Sequence, residues 1–285
     1  MIRRRARPAS RADRARPGAA LAVVALASLE TLAGCGTCEP ERQRAVAPQA
    51  ELRSDDWLAL AARSRLVAKD PRTGREIALR GPARARVCVE SREESWIAAG
   101  ALEGALGSGE APGAEEWVVT PLGVVRFGAA KVTVEALPRE VRVHVAEGVT
   151  RVWVSVDAVG HAADGERMRA TDEGWVRAAE GGFVLTPAAA RSPLDAARSA
   201  LGACSALAAS TRELAGALLA RDADRGAPDA ATAAAQVTTR RLARAACAVT
   251  ALRLAQLPQS DVKATMARSL DEASAAWRSL PAAPP

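Results

Sequence analysis

Cys35 stands at the end of the stretch with the clearest chemical signal in the chain. Residues 32–35 read Leu-Ala-Gly-Cys, after an apolar run at residues 19–29 and a start that carries seven arginines in its first sixteen positions. The apolar run is about half of the roughly 20 residues that a membrane-spanning helix needs. With Glu30 directly after it, the run fits the apolar region of an export signal better than a membrane-spanning segment.

This arrangement resembles the signal peptide of a bacterial lipoprotein. The resemblance implies that residues 1–34 are removed and that Cys35 becomes the lipid-carrying N-terminus. It favours the outer membrane, facing the periplasm, over the inner membrane, because Gly36 stands where retained lipoproteins carry aspartate. Two alternatives remain open: an arginine-rich tail before a buried helix, and a twin-arginine export signal.

Lipidation of one cysteine would leave four others. These are Cys38, Cys88, Cys204 and Cys247. An even number in an exported chain favours two disulfides over free thiols. Cys204 and Cys247 fall at similar heights on two predicted helices, so we predict that they pair, and Cys38 then pairs with Cys88 by elimination. Zinc binding is disfavoured because these four lack close ligand spacing and the chain has only two histidines, so no metal or other cofactor is expected.

The positive charge of the chain belongs mainly to its first 34 residues. The formal net charge is +6, but seven of the 39 basic and two of the 33 acidic residues lie in residues 1–34. The remaining body is therefore close to neutral, and nucleic acid is not an expected partner. Aromatic residues make up 3% of the chain, with six tryptophans and no tyrosine, so alanine and valine must supply most of the core.

The central part of the chain shows the two-residue period of strands. A short helix is predicted before it, at residues 56–65. Predicted strands cover residues 75–80, 84–89, 95–99, 116–120, 123–127, 131–135, 141–146, 151–157 and 182–186. Gly81-Pro82 is expected to break the first two apart. Short strands separated by Pro and Gly turns predict an antiparallel all-β unit.

Two of these strands, at residues 141–146 and 151–157, suggest a hairpin that turns at Glu147-Gly148. If their valine rows share one face, His144 lies opposite Trp153 on the other face, with Arg142 beside it. These three residues form a candidate binding patch. The alternative is that Trp153 packs under a neighbouring strand or loop.

Residues 116–134 and 141–154 resemble the FecR domain, with Thr120-Pro121 and Glu147-Gly148 as turns. That family is a periplasmic β-rich domain, and its best-known members relay a signal from an outer-membrane receptor to a sigma factor. The resemblance covers residues 77–156 and implies a fold and a binding role. The chain lacks the cytoplasmic segment and spanning helix of the signalling members, so direct contact with a sigma factor is not expected.

The chain becomes helical after residue 191. Ser192-Pro193 with Asp195 is a helix start signal, and helices are predicted at residues 192–220 and 229–257 and from residue 260 onward. Their apolar residues recur at three- and four-residue spacings. The third helix has the clearest stripe: Val262, Met266, Leu270, Ala273 and Trp277. We therefore predict an antiparallel three-helix bundle.

The sequence contains only weak signals for a catalytic site. Glu93-Glu94 and Glu115-Glu116 are candidate carboxylate pairs for glycan cleavage. Ser108 lies between glycines without the spacing of a hydrolase nucleophile. The chain is therefore not expected to be an enzyme, with a peptidoglycan-directed hydrolase that uses Glu116 as the alternative.

The sequence thus predicts a signal peptide (1–34), a lipidated stalk (35–55), a FecR-like β domain (56–190), a helical bundle (191–280) and a frayed tail (281–285). The expected function is a membrane-tethered envelope lipoprotein that binds, scaffolds or senses. Its partner would be an envelope protein or peptidoglycan. An accessory role in envelope signal transduction is a further alternative.

Overall fold

The computed structural model describes residues 21–26, 50–52, 57–69, 76–87, 94–105, 115–162, 174–178, 181–225 and 230–278. Within them the chain forms fourteen strands and then three helices. The strands are β1 Leu21–Leu26, β2 Ala50–Leu52, β3 Leu58–Leu60, β4 Arg65–Lys69, β5 Glu76–Val87, β6 Glu94–Ala105, β7 Glu116–Thr120, β8 Gly123–Phe127, β9 Lys131–Ala136, β10 Val141–Glu147, β11 Thr150–Val154, β12 Ala158–Ala162, β13 Val176–Ala178 and β14 Gly181–Pro187. The helices are α1 Pro193–Arg225, α2 Ala230–Gln256 and α3 Asp261–Arg278.

The strands form one curled, mostly antiparallel sheet in which the two longest strands, β5 and β6, belong to both halves. One half has the order β2-β1-β4-β5-β6-β9-β10-β14-β12. In the other half, the start of β6 pairs with β7, and the sheet continues through β8 and β11 to β13. The second part of β5 also pairs with β3. Among the described pairs, β6–β7 is parallel, which the antiparallel prediction did not include.

The long strands change partners near Gly81 and Gly100. Gly100 has a φ of 98°, which glycine adopts without strain, and a Cβ placed there would lie 2.4 Å from the Cβ of Ala83. The predicted break at Gly81-Pro82 is wrong, because β5 continues through it. Pro82 lies where the β5–β6 ladder shifts register, so no ladder hydrogen bond is lost at its missing N–H.

A sheet core joins the two halves of the curled sheet. It is built mainly from alternate residues of the strands, as expected when successive side chains point to opposite faces. Its members include Leu79, Ile97, Leu102, Val118, Val125, Val134, Val143, Val152, Phe183 and Leu185.

A second cluster, the helix-facing core, lies on the opposite face of β6, β7, β8 and β11. Its sheet members are Trp96, Trp117, Val119, Val124, Trp153 and Trp175. Its helix members include Ala200, Cys204, Ala246, Val249, Leu252, Met266 and Leu270. Because β7 and β8 contribute to both clusters, all of their residues are buried.

The predicted hairpin between β10 and β11 is not formed. β10 lies between β9 and β14, so that His144 is opposite Thr133 and Gly182. β11 lies between β8 and β13, and Trp153 is opposite Val124. The sheet core includes the valines of β10 together with Val152 of β11, from different halves of the sheet, whereas Val156 is 62% exposed. Alternation predicts which face of a strand is buried, and it does not predict the neighbouring strand.

The predicted helix at residues 56–65 is also wrong. Leu58 and Leu60 are half-buried and Ala59 is exposed, the pattern of a strand with one face on a core. β3 pairs with Ala83, Arg84 and Ala85 of β5. A helix of about ten residues is marginal alone, and pairing with a long strand offers this segment a buried face. Part of the predicted stalk is likewise in the sheet, as β2.

The bounds of several elements agree closely with the sequence analysis. β7 and β8 coincide with the predicted strands, and the three helices begin within a residue of their predicted starts. The hydroxyl of Ser192 accepts a hydrogen bond from the backbone N–H of Asp195 at 3.1 Å, which confirms the predicted cap. Each helix contacts the other two, and α2 also contacts β6, β7 and β8.

Candidate functional site

The predicted disulfide between Cys204 and Cys247 is present. It joins α1 to α2, with an S–S distance of 2.07 Å and the two Cα atoms 4.7 Å apart. Both residues are buried in the helix-facing core. The predicted pair of Cys38 with Cys88, and the predicted lipidation site Cys35, lie outside the described residues.

The candidate patch of Arg142, His144 and Trp153 is not brought together. Arg142 and His144 lie on the exposed face of β10, and Arg142 pairs with Glu140 at 2.5 Å. Trp153 is 6% exposed and packs in the helix-facing core. The alternative for Trp153, packing under a neighbouring element, is therefore the observed one, with the helices as the cover.

Two of the candidate catalytic carboxylates, Glu94 and Glu116, are held inside the molecule. Glu94 is 4% exposed and accepts hydrogen bonds from Trp96 Nε1 at 2.6 Å and from Arg244 Nη2 at 2.8 Å. Glu116 is 1% exposed and accepts a hydrogen bond from Ser95 Oγ at 2.9 Å. Neither carboxylate lies where a glycan could reach it. Glu93 and Ser108 are outside the described residues.

Arginines stack on tryptophans where the sheet meets α2. Arg244 lies 4.1 Å from the ring centroid of Trp117, which packs edge-on against Trp175 at 5.5 Å. Arg126 lies 5.3 Å from the Trp175 ring, and its Nη2 is 3.1 Å from Glu115 Oε1. Desolvated contacts of this kind contribute on the order of 1–2 kcal/mol each. They hold the helix layer on the sheet and fix the guanidinium of Arg126 in place.

A cleft of about 680 Å³ opens where several elements end. Four prolines line it, from the β7–β8 turn, the β9–β10 turn, the end of β14 and the start of α1: Pro121, Pro138, Pro187 and Pro193. Asp157 and Arg253 lie in its wall, and the exposed Arg139 and Arg191 also line it. We call it the proline cleft. Its volume is in the range of small-ligand sites, roughly 300–1,000 Å³.

Arg253 uses all five of its guanidinium N–H donors inside the protein. Nε donates to the carbonyl of Pro121 at 2.8 Å, and Nη1 donates to the carbonyl of Ala196 at 2.6 Å. Nη1 and Nη2 form a two-pronged contact with the carboxylate of Asp157, at 2.9 and 2.8 Å. Nη2 also donates to Ser155 Oγ at 3.4 Å. This one side chain therefore connects α1, α2 and two turns of the sheet.

Burial alone would raise the pKa of Asp157, but hydrogen bonds from Arg253 and Ser155 outweigh it and hold this pKa below its usual value. The carboxyl is therefore ionised near neutral pH and neutralised by Arg253, so it is not available as a proton acceptor. The pair was missed in the sequence because 96 residues separate its members. The available signal was a charged residue between Leu252 and Leu254, in an apolar run that required a buried partner.

The part of the chain that the structure describes shows neither a metal-binding cluster nor a helix that could span a membrane. No three of its His, Cys, Asp and Glu side chains are arranged to hold a metal ion. None of the described helices combines the length and apolarity required to cross a membrane.

Comparisons with known proteins give little. No family model matches the sequence, so the FecR resemblance stays a prediction, and no curated protein matches. Two crystal structures of a candidate anti-sigma factor from Parabacteroides distasonis are similar at TM-scores of 0.35 and 0.34, with 13% and 12% identity. Each likeness covers 48% of this chain and 57% of the other. At these values the likeness does not establish a shared fold.

Proposed function

We propose that this protein is an envelope lipoprotein, anchored through Cys35, whose body of sheet and helices is a non-enzymatic binding or scaffolding module. We also propose that the body consists of a FecR-like domain, antiparallel apart from β6–β7, followed by an antiparallel three-helix bundle. The expected partner is an envelope protein or peptidoglycan.

An oxidising compartment is supported by the disulfide. Cys204 and Cys247 are 0% and 4% exposed, so the bond is shielded from solvent and serves packing rather than redox exchange. Structural disulfides of this kind are typical of exported proteins. Together with the Leu-Ala-Gly-Cys box, the bond supports residence in the periplasm.

The binding role is inferred from the proline cleft, in whose wall the buried charges are already paired with each other. Asp157 and Arg253 neutralise each other in its wall, and Glu94 and Glu116 are engaged within the protein's interior. The cleft therefore presents a concave apolar surface of prolines and the exposed Arg139 and Arg191. Its one lining carboxylate, Asp157, is paired with Arg253 and is not free to act as an acid or base. Such a site suits recognition of a partner segment.

Signal cleavage would also change the sheet. β1 lies within residues 1–34, and it pairs with β4 and β2. Removal of β1 would leave β4 paired with β5 and would turn β4 into an edge strand.

Labelling with radioactive palmitate in cells tests the anchor. We expect the wild-type protein to be labelled and Cys35→Ser to be unlabelled, because no other residue would accept the lipid. Cys38→Ser is the matched control, since it removes a nearby thiol and should keep the label. An unlabelled wild-type protein, or equal labelling of the Cys35→Ser variant, would contradict the proposal.

Photo-crosslinking in intact cells tests the cleft. A photoreactive residue at the exposed Ala190, in the cleft, should give a specific high-mass adduct. The same residue at the exposed Glu213, outside the cleft lining, is the control and should give none. Equal adducts at both positions, or none at Ala190, would exclude the cleft as the binding site. The identity of the adduct would distinguish a structural role from an accessory role in signalling.

A further inference from the structure

Three arginines form a row across adjacent strands at the end of the sheet where β13 lies. Arg151 of β11 is in direct register with Arg126 of β8 on one side and with Arg177 of β13 on the other. Residues in direct register point to the same face, and neighbouring strands lie about 4.8 Å apart. Three guanidinium groups therefore originate within about 10 Å of one another.

This row is on the same face as the helix-facing core. Arg151 and Arg177 share strand parity with Trp153 and Trp175, which the helices cover, but both arginines are exposed. The row thus begins under the edge of the helix layer and continues beyond it. Arg126, 3% exposed, forms its buried end.

The charges of the row are not balanced. Arg126 pairs with Glu115 at 3.1 Å. Within the described part of the chain, the side chains of Arg151 and Arg177 form no ion pair or hydrogen bond. Like charges directly opposite each other on a sheet are unfavourable. Among the described residues, Arg151 and Arg177 therefore carry two positive charges that no carboxylate pairs with.

A cavity of about 430 Å³ lies over this row. The three arginines line it together with Glu115, Phe127 and Val149. Its volume is suited to a small ligand or a headgroup. Contact with the ring of Trp175 holds the guanidinium of Arg126 in position, whereas Arg151 and Arg177 can adjust to what enters.

We infer that this cavity, the arginine-row site, binds a phosphate group that carries two negative charges. A phosphate dianion would neutralise the charges of Arg151 and Arg177, and a single carboxylate would not. Arginine also matches phosphate geometry, since its planar fork can donate two parallel hydrogen bonds. The site lies apart from the proline cleft and does not depend on the lipid anchor.

Isothermal titration of the purified full chain with inorganic phosphate at low salt tests the site. We expect binding that weakens at least tenfold in Arg151→Gln/Arg177→Gln, whose changes are at exposed positions and leave Arg126 intact. Arg212→Gln/Arg268→Gln, with the same loss of charge at exposed helix positions, is the matched control and should bind as wild type. No binding by the wild-type chain, or an equal loss in both double variants, would overturn the inference.

The source of the phosphate is distinguished with two soluble probes. Glycerol 3-phosphate represents a free metabolite, and dihexanoyl phosphatidic acid represents a lipid headgroup. Binding of both would show that the phosphate group alone is recognised, and binding of the second alone would indicate a lipid. Binding of neither, in a chain whose circular dichroism shows it to be folded, would count against the site.

Discussion

Arg253 illustrates how one side chain can hold separate parts of this molecule together. It lies in an otherwise apolar part of α2, yet every N–H of its guanidinium has an acceptor. The desolvation of a buried charge is unfavourable by several kcal/mol, so such a residue is tolerated only with this degree of satisfaction. The same contacts give Asp157 its lowered pKa.

Loss of one member of this pair should be strongly destabilising. We expect Arg253→Met to lower the free energy of unfolding by about 3–5 kcal/mol, because the Asp157 carboxylate is left buried without its counter-ion. Urea denaturation at neutral pH measures this. The double variant Asp157→Asn/Arg253→Met should recover part of the loss, since no buried charge remains. A loss of less than about 1 kcal/mol in the single variant would contradict the interpretation.

The same pair predicts a dependence of stability on pH. The pKa of Asp157 is lower in the folded than in the unfolded chain, so its stabilising contribution is complete above the unfolded pKa. It is lost as the pH falls from about 4 through the lower folded pKa. The difference in unfolding free energy between wild type and Asp157→Asn should therefore be largest near neutral pH and should shrink in acid. Asp271→Asn, at an exposed α3 position, should follow the wild-type profile.

At the scale of elements, the two long helices are rich in alanine and depend on support from outside their own sequence. Each Å² of buried apolar surface contributes about 25 cal/mol of stabilisation. Because alanine side chains bury little area, α1 and α2 gain less from packing than leucine-rich helices would. The disulfide and the contacts of α2 with β6, β7 and β8 compensate. α3 instead presents Met266, Leu270 and Ala273 as a continuous buried stripe.

Removal of the disulfide should weaken the molecule without changing its fold. The bond closes a loop across a sequence separation of 43, for which the chain-entropy model gives roughly 4 kcal/mol as an upper value. We expect Cys204→Ser/Cys247→Ser to lose up to that amount in guanidinium denaturation. A reductant should shift the wild-type curve by a similar amount and leave the variant's helix transition unchanged. A variant as stable as the oxidised wild type would contradict a stabilising role of the Cys204–Cys247 bond.

At the scale of the whole molecule, the sheet and the helices are not independent bodies. Four tryptophans of the sheet, Trp96, Trp117, Trp153 and Trp175, belong to the same core as α1, α2 and α3. Without the helices this face would expose a large apolar surface, which soluble proteins seldom tolerate. The β region (56–190) and the helical region (191–280) of the sequence analysis therefore share a core.

This shared core predicts one cooperative unfolding transition. Tryptophan fluorescence follows mainly the sheet face, and circular dichroism at helical wavelengths follows the helices. The two probes should give coincident urea curves, as two-state unfolding requires. Trp153→Ala should shift both curves together by about 3–5 kcal/mol. Two separated transitions would instead indicate that the halves fold independently.

Much of the local structure was predictable from the sequence. The bounds of β7 and β8 and the starts of all three helices were correct because they depend on alternation, capping and the three- to four-residue spacing of apolar side chains. The short helix predicted at residues 56–65 failed because its ten residues carry too weak a signal to outweigh pairing with β5.

The site was less predictable. Cys204 and Cys247 could be paired because they lie on consecutive helices at matching heights. Arg142, His144 and Trp153 could not be placed, since their apparent proximity required β10 and β11 to be neighbours. The pairing of Asp157 with Arg253 had no local signal beyond a lone charge among apolar residues.

The sequence by itself determined the properties that arise within a few residues: the lipobox-like start, the strand and helix periods, the caps and the number of cysteines available for pairing. Only the tertiary structure decided which strands are neighbours, which face of Trp153 is covered, and that Arg126, Arg151 and Arg177 stand side by side. The physical reason is that periodicity reflects local backbone geometry, whereas strand order and ion pairing reflect contacts between segments distant in the chain.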